Sequence, residues 1–203
     1  MNSASLTMRT EDHFPIIIIG SSTGGPQVLE EIFSRVVRVP GAIIIVQHLF
    51  HSFVSVLGGQ IHEACGTPVA IPSEGESVCA GTIYLAPGGR HLLLKNNRIF
   101  CFSDTDKLHG VRPSIDLAMR SLSPGQGKRC MGILLTGMGE DGAKGIDHIR
   151  KIGGVTAVQD PLTCAIMSMP LSAIATGSVD YILSPQGIAT MINTFDPGGQ
   201  QSR

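Results

Sequence analysis

Each of three short apolar runs in this sequence is followed by a side chain that can take part in catalysis. The side chains are Ser21 or Ser22, His48 and Asp141, and each comes shortly after a predicted buried strand. A hydroxyl nucleophile needs a base that takes its proton, and the base needs a carboxylate that orients it. These residue types therefore predict a catalytic triad in the order Ser…His…Asp. That order differs from the Ser…Asp…His order of α/β-hydrolases, and a Gly-x-Ser-x-Gly elbow is missing.

The residue types alone leave other interpretations open. His48 could be a hydrogen-bonded structural histidine, and Asp141, just before Gly142, could be a helix N-cap. The turn over 20–25 precedes a predicted helix whose free N–H groups could bind a phosphate, although it lacks the Gly-Lys-Ser/Thr ending of a P-loop. His48 and His51 are three residues apart, but no third ligand is evident, and no metal site is predicted.

The elements that must position these side chains are apolar strands alternating with amphipathic helices along almost the whole chain. This alternation predicts an α/β fold: a mostly parallel, doubly wound (Rossmann-like) sheet with helices on both faces. The first helix is predicted over Val28–Val37 and the last strand over Val179–Leu183. Residues 74–102 contain short strand-like pieces around Asn96-Asn97, which predict a small antiparallel hairpin insertion. Sites in such sheets form at the carboxyl ends of strands, where the three reactive residue types lie.

Composition narrows the class of protein. The chain has 203 residues, 42% of them hydrophobic, and a net charge of −1, so neither nucleic acid nor insertion into a membrane is predicted. Its five cysteines are far apart and odd in number, which favours a reduced, cytoplasmic protein. We expect a flexible N-terminal extension over 1–14, one catalytic domain over 15–195 and a disordered tail over 196–203.

Several segments, in order and with similar spacing, resemble the catalytic domain of the chemotaxis protein-glutamate methylesterase (CheB) family. The three that carry the reactive residues are Ile19-Gly20-Ser21-Ser22-Thr23-Gly24-Gly25-Pro26, Val46-Gln47-His48 and Leu135-Thr136-Gly137-Met138-Gly139-Glu140-Asp141-Gly142-Ala143. Others are Tyr84-Leu85-Ala86-Pro87-Gly88-Gly89-Arg90-His91, Arg112-Pro113-Ser114-Ile115-Asp116, and Gln159-Asp160 with the later Met169-Pro170. The resemblance covers about residues 15–195.

The resemblance implies a role for each matching position. Ser22, which precedes Thr-Gly-Gly, is the implied nucleophile, His48 the general base and Asp141 the residue that orients it. Thr23 and Met138 match positions that support the family's active site, and nearby backbone N–H groups are expected to form the oxyanion hole. Ser21 stands where the family commonly has alanine.

The implied reaction is hydrolysis of glutamate γ-methyl esters on the cytoplasmic helices of methyl-accepting chemotaxis receptors, with release of methanol. No metal or organic cofactor is needed, and some family members also deamidate receptor glutamines. The competing interpretations are a non-catalytic receptor- or signalling-protein-binding module on the same fold, a phosphate- or nucleotide-binding domain, and a hydrolase that acts on another ester or amide.

The sequence departs from the family pattern in two ways. Too few residues precede Ile16 for the receiver domain that the family usually carries. Three interpretations stay open: a standalone esterase, an enzyme regulated by a separate regulatory or receiver protein, and a fragment of a larger fusion. Gln60 and Leu171 stand where basic residues are common, which removes positive charge near the expected cleft.

Overall fold

The computed structural model describes residues 14–196, and a seven-stranded parallel sheet forms the centre of that part of the chain. Across the sheet the strands lie in the order β3-β4-β2-β1-β7-β8-β9. Their bounds are β1 Ile16–Ser21, β2 Ala42–Gln47, β3 Val69–Ala70, β4 Thr82–Leu85, β7 Cys130–Leu134, β8 Val155–Gln159 and β9 Tyr181–Leu183. Because β1 has β2 on one side and β7 on the other, the strand order reverses beside β1, and a crevice forms at such a point.

Helices cover both faces of this sheet. Their bounds are α1 Gly25–Phe33, α2 His51–Cys65, α3 Ile115–Arg120, α4 Ala143–Lys151, α5 Ser168–Ile174 and α6 Pro185–Thr194. Ile17 and Ile19 point to the face that packs against α1, α2 and α6, whereas Ile16 and Ile18 point to the face that packs against α3, α4 and α5. The four consecutive isoleucines are all fully buried, as expected of a strand with both faces covered.

A separate hairpin is formed by β5 (His91–Lys95) and β6 (Ile99–Ser103), which pair antiparallel. Asn96 and Asn97 make its turn with φ of 51° and 61°, the left-handed conformation that tight hairpins require. Asn97 also exchanges two hydrogen bonds of 2.7 Å with Ser123, which ties the hairpin to the segment after α3. The parallel sheet, its covering helices and this insertion confirm the predicted fold class.

The first helix is shorter than predicted. It ends at Phe33, not Val37, because the N–H groups of Arg35 and Val36 bond to carbonyls only three residues back (3.0 and 3.2 Å). The N–H groups of Val37 and Arg38 then bond to Asn193 Oδ1 of α6 (2.9 and 3.3 Å). The last strand begins at Tyr181, not at Val179 as predicted. Just before it, the Asp180 carboxylate accepts from both the N–H and the hydroxyl of Thr156 in β8, so a side chain takes a bond that a strand carbonyl would otherwise accept.

The predicted extension over 1–14 and the predicted tail over 196–203 lie outside the described residues, except for their innermost positions, Phe14 and Asp196. Phe14 packs against the core, with the Arg98 guanidinium 4.2 Å from the centre of its ring. Within residues 14–196, no helix is both long enough and apolar enough to cross a membrane.

Candidate active site

The carboxyl ends of three neighbouring strands bring the predicted triad residues to one edge of the sheet. Ser22 follows β1, His48 follows β2, and Asp141 lies in the loop between β7 and α4. Backbone bonds extend the strand pairing beyond the strand ends: Ser22 N–H donates to the Thr136 carbonyl and His48 N–H to the Ser21 carbonyl, both at 3.0 Å. The ordinary register of a parallel sheet therefore sets the positions of these residues.

His48 and Asp141 form a buried pair. His48 Nε2 lies 2.9 Å from Asp141 Oδ2, and the two side chains are 10% and 3% exposed. An ionised carboxylate only accepts hydrogen bonds, so this contact assigns the imidazole proton to Nε2 and leaves Nδ1 with a free lone pair. The pair therefore has the arrangement of a base and the carboxylate that orients it.

Asp141 is held by the N-terminus of α3. Its carboxylate accepts hydrogen bonds from Ile115 N–H (2.7 Å), Asp116 N–H (3.1 Å) and the Ser114 hydroxyl (2.8 Å). Burial on its own raises the pKa of Asp141, but the hydrogen bond from His48 and the three donors of α3 outweigh it and lower the pKa below its ordinary value. Asp141 is therefore ionised at neutral pH and can stabilise a protonated His48.

A second buried carboxylate, Asp116, makes the reciprocal contact with α4. Its Oδ1 accepts from Gly142 N–H at 3.0 Å and Gly145 N–H at 2.7 Å. Burial raises the pKa of Asp116, the bond from Gly145 opposes that rise, and the nearby charge of Asp141 adds to it. The exchanged carboxylates fix α3 against α4, and with them the position of Asp141.

His91 supports the same assembly from the hairpin. Its buried ring accepts a hydrogen bond from Ser114 N–H at Nδ1 (3.1 Å), while Nε2 faces the Asp106 carbonyl at 3.1 Å. His91 therefore fixes the N-cap residue whose hydroxyl bonds to Asp141. The sequence predicts Ser114 as the N-cap of its own helix, which the structure confirms, but it gave neither His91 nor Asp116 a role and did not predict the bond from Ser114 to Asp141. All three residues lie in the segments that carried the resemblance.

The two serines after β1 have different surroundings. Ser21 is fully buried, and its hydroxyl donates to Gln47 Oε1 at 2.5 Å. Gln47 in turn donates to the carbonyls of Ser22 (2.9 Å) and His48 (3.1 Å), so it links the two strand ends. Ser22 is half-buried, and within residues 14–196 its hydroxyl makes no hydrogen bond, to His48 or to any other group. Catalytic hydrogen bonds are often long before substrate binds, and Ser22 is the serine whose hydroxyl is uncommitted.

The two predicted supporting residues lie at the surface. Thr23 is exposed, and its carbonyl accepts from the buried Thr136 hydroxyl at 3.0 Å. The Met138 side chain is largely exposed in the loop before Asp141. A cleft of about 660 Å³ opens beside His48, between Leu49 and Phe50 on one side and the segment 107–112 on the other.

In the described range, one group of three side chains has metal-ligand types close together, and the sequence reasoning did not foresee it. Single atoms of His109, Asp116 and Asp141 lie within 4.8 Å of one another. His109 Nε2 is 3.1 Å from Asp116 Oδ2, and His109 Nδ1 is 3.1 Å from Glu140 Oε1. N–H and O–H donors already bond to the carboxylates of Asp116 and Asp141. These three side chains therefore belong to the hydrogen-bond network that holds Asp141 in place.

Removal of the Asp116 carboxylate is expected to destabilise the protein. Asp116→Ala leaves the N–H groups of Gly142 and Gly145 without an acceptor, which costs about 2–4 kcal/mol of unfolding free energy. Asp116→Asn should cost less than half as much, because the amide keeps an acceptor. Asparagine also cannot ionise. Because the pKa of Asp116 is raised in the folded protein, ionisation of the wild-type side chain lowers stability as pH rises through that pKa. Urea unfolding at pH 7 measures both variants, and equal losses would contradict this role.

Gly137 is expected to be essential for the placement of Ser22. A Cβ at position 137 would lie 2.7 Å from Ser22 Cβ and would collide with Met169 Sδ. Gly137→Ala should therefore displace Ser22 and lower the turnover number of any hydrolysis that uses the Ser22 hydroxyl as nucleophile by about 100-fold. Gly59→Ala is the matched control: no described atom lies within 4 Å of the added Cβ in α2, so activity should be kept and stability raised by about 0.5–1 kcal/mol. Full activity in Gly137→Ala would show that this packing does not position Ser22.

Comparison with known proteins places this geometry in a family. Residues 17–192 match the family profile described as CheB methylesterase. The chain is 35% identical over 178 residues to a protein-glutamate methylesterase/protein-glutamine glutaminase of Symbiobacterium thermophilum, covering 87% of this chain and 49% of that protein. A Methanospirillum hungatei relative with the same name, numbered 2, is 37% identical over 181 residues, or 89% of this chain and 52% of that protein.

The crystal structure of the Thermotoga maritima CheB methylesterase catalytic domain aligns with a TM-score of 0.81 and 32% identity. The alignment covers 89% of this chain and 97% of that one. The chain spans about half the length of the curated relatives that it matches. With a seven-stranded parallel sheet, a hairpin insertion and a profile match over 17–192, this chain belongs to the CheB methylesterase family.

Proposed function

We propose that this protein is a serine hydrolase that removes methyl groups from glutamate γ-methyl esters of methyl-accepting chemotaxis receptors and releases methanol. The observation that carries the proposal is the buried His48–Asp141 pair at the strand end next to Ser22, in a chain of this family. The proposed substrates are cytoplasmic helices of the receptors, which places the enzyme in the cytoplasm. A non-catalytic binding module is disfavoured, because a base and its carboxylate partner remain assembled.

In the proposed mechanism Ser22 Oγ attacks the ester carbonyl and its proton passes to Nδ1 of His48, the nitrogen that does not face Asp141. The positive charge that forms on His48 is stabilised by the ionised Asp141. Protonated His48 then gives its proton to the departing methoxide, which is released as methanol. Ser22 is left as an acyl-enzyme. Water repeats the cycle, with His48 as base, and releases the glutamate carboxylate and free Ser22.

Backbone N–H groups of Thr23 and Met138 are the proposed donors to the oxyanion. In residues 14–196 neither group donates a hydrogen bond, and they belong to the turns that carry Ser22 and Asp141. A donor directed at the developing oxyanion contributes about 3 kcal/mol to transition-state stabilisation. The proposal thus gives Thr23 and Met138 main-chain roles, which agrees with their exposed side chains.

The same steps would deamidate glutamine, with ammonia as the leaving group. The names of both relatives above include protein-glutamine glutaminase activity, so we propose this as a second reaction of the same site. It requires no further residue, because His48 protonates the leaving group in both reactions.

Release of radiolabelled methanol from membranes whose receptors carry labelled methyl esters tests the proposed function. The chain should release methanol at a rate that depends on its concentration, and His48→Ala should release none above background. Ammonia release from receptors that carry glutamine at the same positions tests the second reaction. If verified methylated receptors of the source organism yield no methanol, the methylesterase proposal is wrong.

A further inference from the structure

We propose that the cleft beside His48 binds an acidic, amphipathic segment of the substrate polypeptide, with Lys107 and Arg112 contacting its carboxylates. The inference rests on the proposed function and names the chemistry of the substrate around the reacting ester. Because a glutamate methyl ester is uncharged, any charge-based selection must act on neighbouring residues of the substrate. The cleft includes His48 itself, so a chain bound there passes next to the base.

Two uncompensated cations line one side of this cleft. Within residues 14–196, neither Lys107 nor Arg112 forms an ion pair. Arg112 Nη1 donates to the main-chain carbonyls of Asp104 and Thr105 at 2.9 and 3.0 Å, which fixes the guanidinium without neutralising its charge. Its Nε is buried and has no hydrogen-bond partner.

The carboxylate of Asp104, whose main-chain carbonyl accepts from Arg112, is already engaged. Both carboxylate oxygens of Asp104 accept from Arg90, at 2.9 and 3.1 Å, so that carboxylate neutralises Arg90. Among the described residues that line the cleft, two are cations and none is a carboxylate, so a carboxylate from outside the chain is the group that would complement them.

The opposite side of the cleft is apolar and unusually exposed. Phe50 lines this side and is 81% exposed; Phe53, three residues further on in α2 and outside the lining, is 54% exposed. Leu49 lies beside Phe50 in the lining, and Val111 adds an apolar side chain on the side of the two cations. Exposed aromatic side chains next to unpaired cations match a peptide that carries apolar residues on one side and carboxylates on the other, and they do not match a small anion. The observations therefore favour an acidic amphipathic segment as the occupant.

Peptide esters test this inference. Two synthetic peptides share one γ-methyl glutamate and the same apolar residues, and the neighbouring positions are glutamate in one and glutamine in the other. At low ionic strength the wild-type chain should hydrolyse the acidic peptide with a kcat/KM at least about 5-fold higher, mainly through a lower KM. Lys107→Met should abolish most of this preference without change in kcat, and Lys107→Glu should reverse it. Lys128→Met is the control, because exposed Lys128 precedes β7 and so lies at the opposite edge of the sheet.

Binding of the same two peptides to Ser22→Ala and to Ser22→Ala/Lys107→Met, measured by fluorescence anisotropy, separates this inference from the proposed function. Tighter binding of the acidic peptide that depends on Lys107 supports the inference even if no ester is hydrolysed, in which case only the proposed function fails. Hydrolysis of both peptides with equal kcat/KM, or an acidic preference that survives Lys107→Met, overturns the inference and leaves the proposed function standing.

Discussion

Ser22→Ala is expected to lower the turnover number for ester hydrolysis by about 10⁴-fold or more, whereas Ser21→Ala should keep it within about 10-fold. The reason is the different use of the two hydroxyls. The Ser21 hydroxyl is buried and donates to Gln47, while the Ser22 hydroxyl is uncommitted in the described part of the chain. Methanol release from a methylated receptor or peptide measures both variants.

Ser21→Ala is expected mainly to lower the free energy of unfolding. It leaves the buried Gln47 Oε1 without its donor, which costs about 1–3 kcal/mol of unfolding free energy. Ser22→Ala removes a hydroxyl without a partner and should change stability by less than about 0.5 kcal/mol. Loss of turnover in Ser21→Ala with an intact fold, and its retention in Ser22→Ala, would show that the nucleophile is the residue before the one proposed here.

Asp141→Asn is expected to lower the turnover number by about 10⁴-fold. Oδ1 accepts from the Ser114 hydroxyl and Asp116 N–H, and Oδ2 accepts from Ile115 N–H and His48 Nε2. Either orientation of an asparagine amide therefore places an NH₂ group against a backbone N–H. His48 would also lose the charge that fixes its tautomer and stabilises its protonated form.

The matched control for this substitution is Glu140→Gln, which changes the neighbouring carboxylate to an amide at a largely exposed side chain. It should keep the turnover number within about 2-fold. If both variants were equally active, Asp141 would be a helix cap without a catalytic role.

Acid should remove the stabilising contribution of Asp141. Its pKa is lower in the folded protein than in the unfolded chain, so the contribution is present above about pH 4 and is lost as pH falls through the folded-state pKa. The difference in unfolding free energy between wild type and Asp141→Asn should therefore shrink as pH falls below about 4. Urea unfolding at a series of acidic pH values measures it, and a constant difference would contradict the assigned ionisation.

The strands and their order of appearance could be predicted because local signals carry them. Four isoleucines before Gly20 specify a strand buried on both faces, and Asn96-Asn97 specifies a tight turn. The carboxyl-end rule then gives the edge of the sheet where Ser22, His48 and Asp141 lie. Because the register of the sheet aligns these strand ends, residues that are far apart in the sequence lie together at that edge.

The support of the site could not be predicted from residue types, because it depends on contacts between distant positions. Ser114 and Asp116 bond to groups 25 to 29 residues away, and His91 reaches Ser114 across 23. Serine and aspartate at a helix start are typical caps of their own helix, so the local pattern does not reveal that α3 and α4 exchange carboxylates. The end of α1 was also mispredicted, because the N–H groups after Ser34 bond first to carbonyls three residues back and then to the distant Asn193 of α6.

A covalent label on the activated serine tests the central claim most directly. A fluorophosphonate forms a stable Oγ–P bond with loss of fluoride when a base activates the attacking hydroxyl, and peptide mass spectrometry locates it. We predict modification of Ser22 in the wild-type chain, none in His48→Ala and a rate reduced by orders of magnitude in Asp141→Asn. Modification of Ser21 or another serine, or labelling of Ser22 at an unchanged rate in His48→Ala, would contradict a Ser22 nucleophile activated by the His48–Asp141 pair.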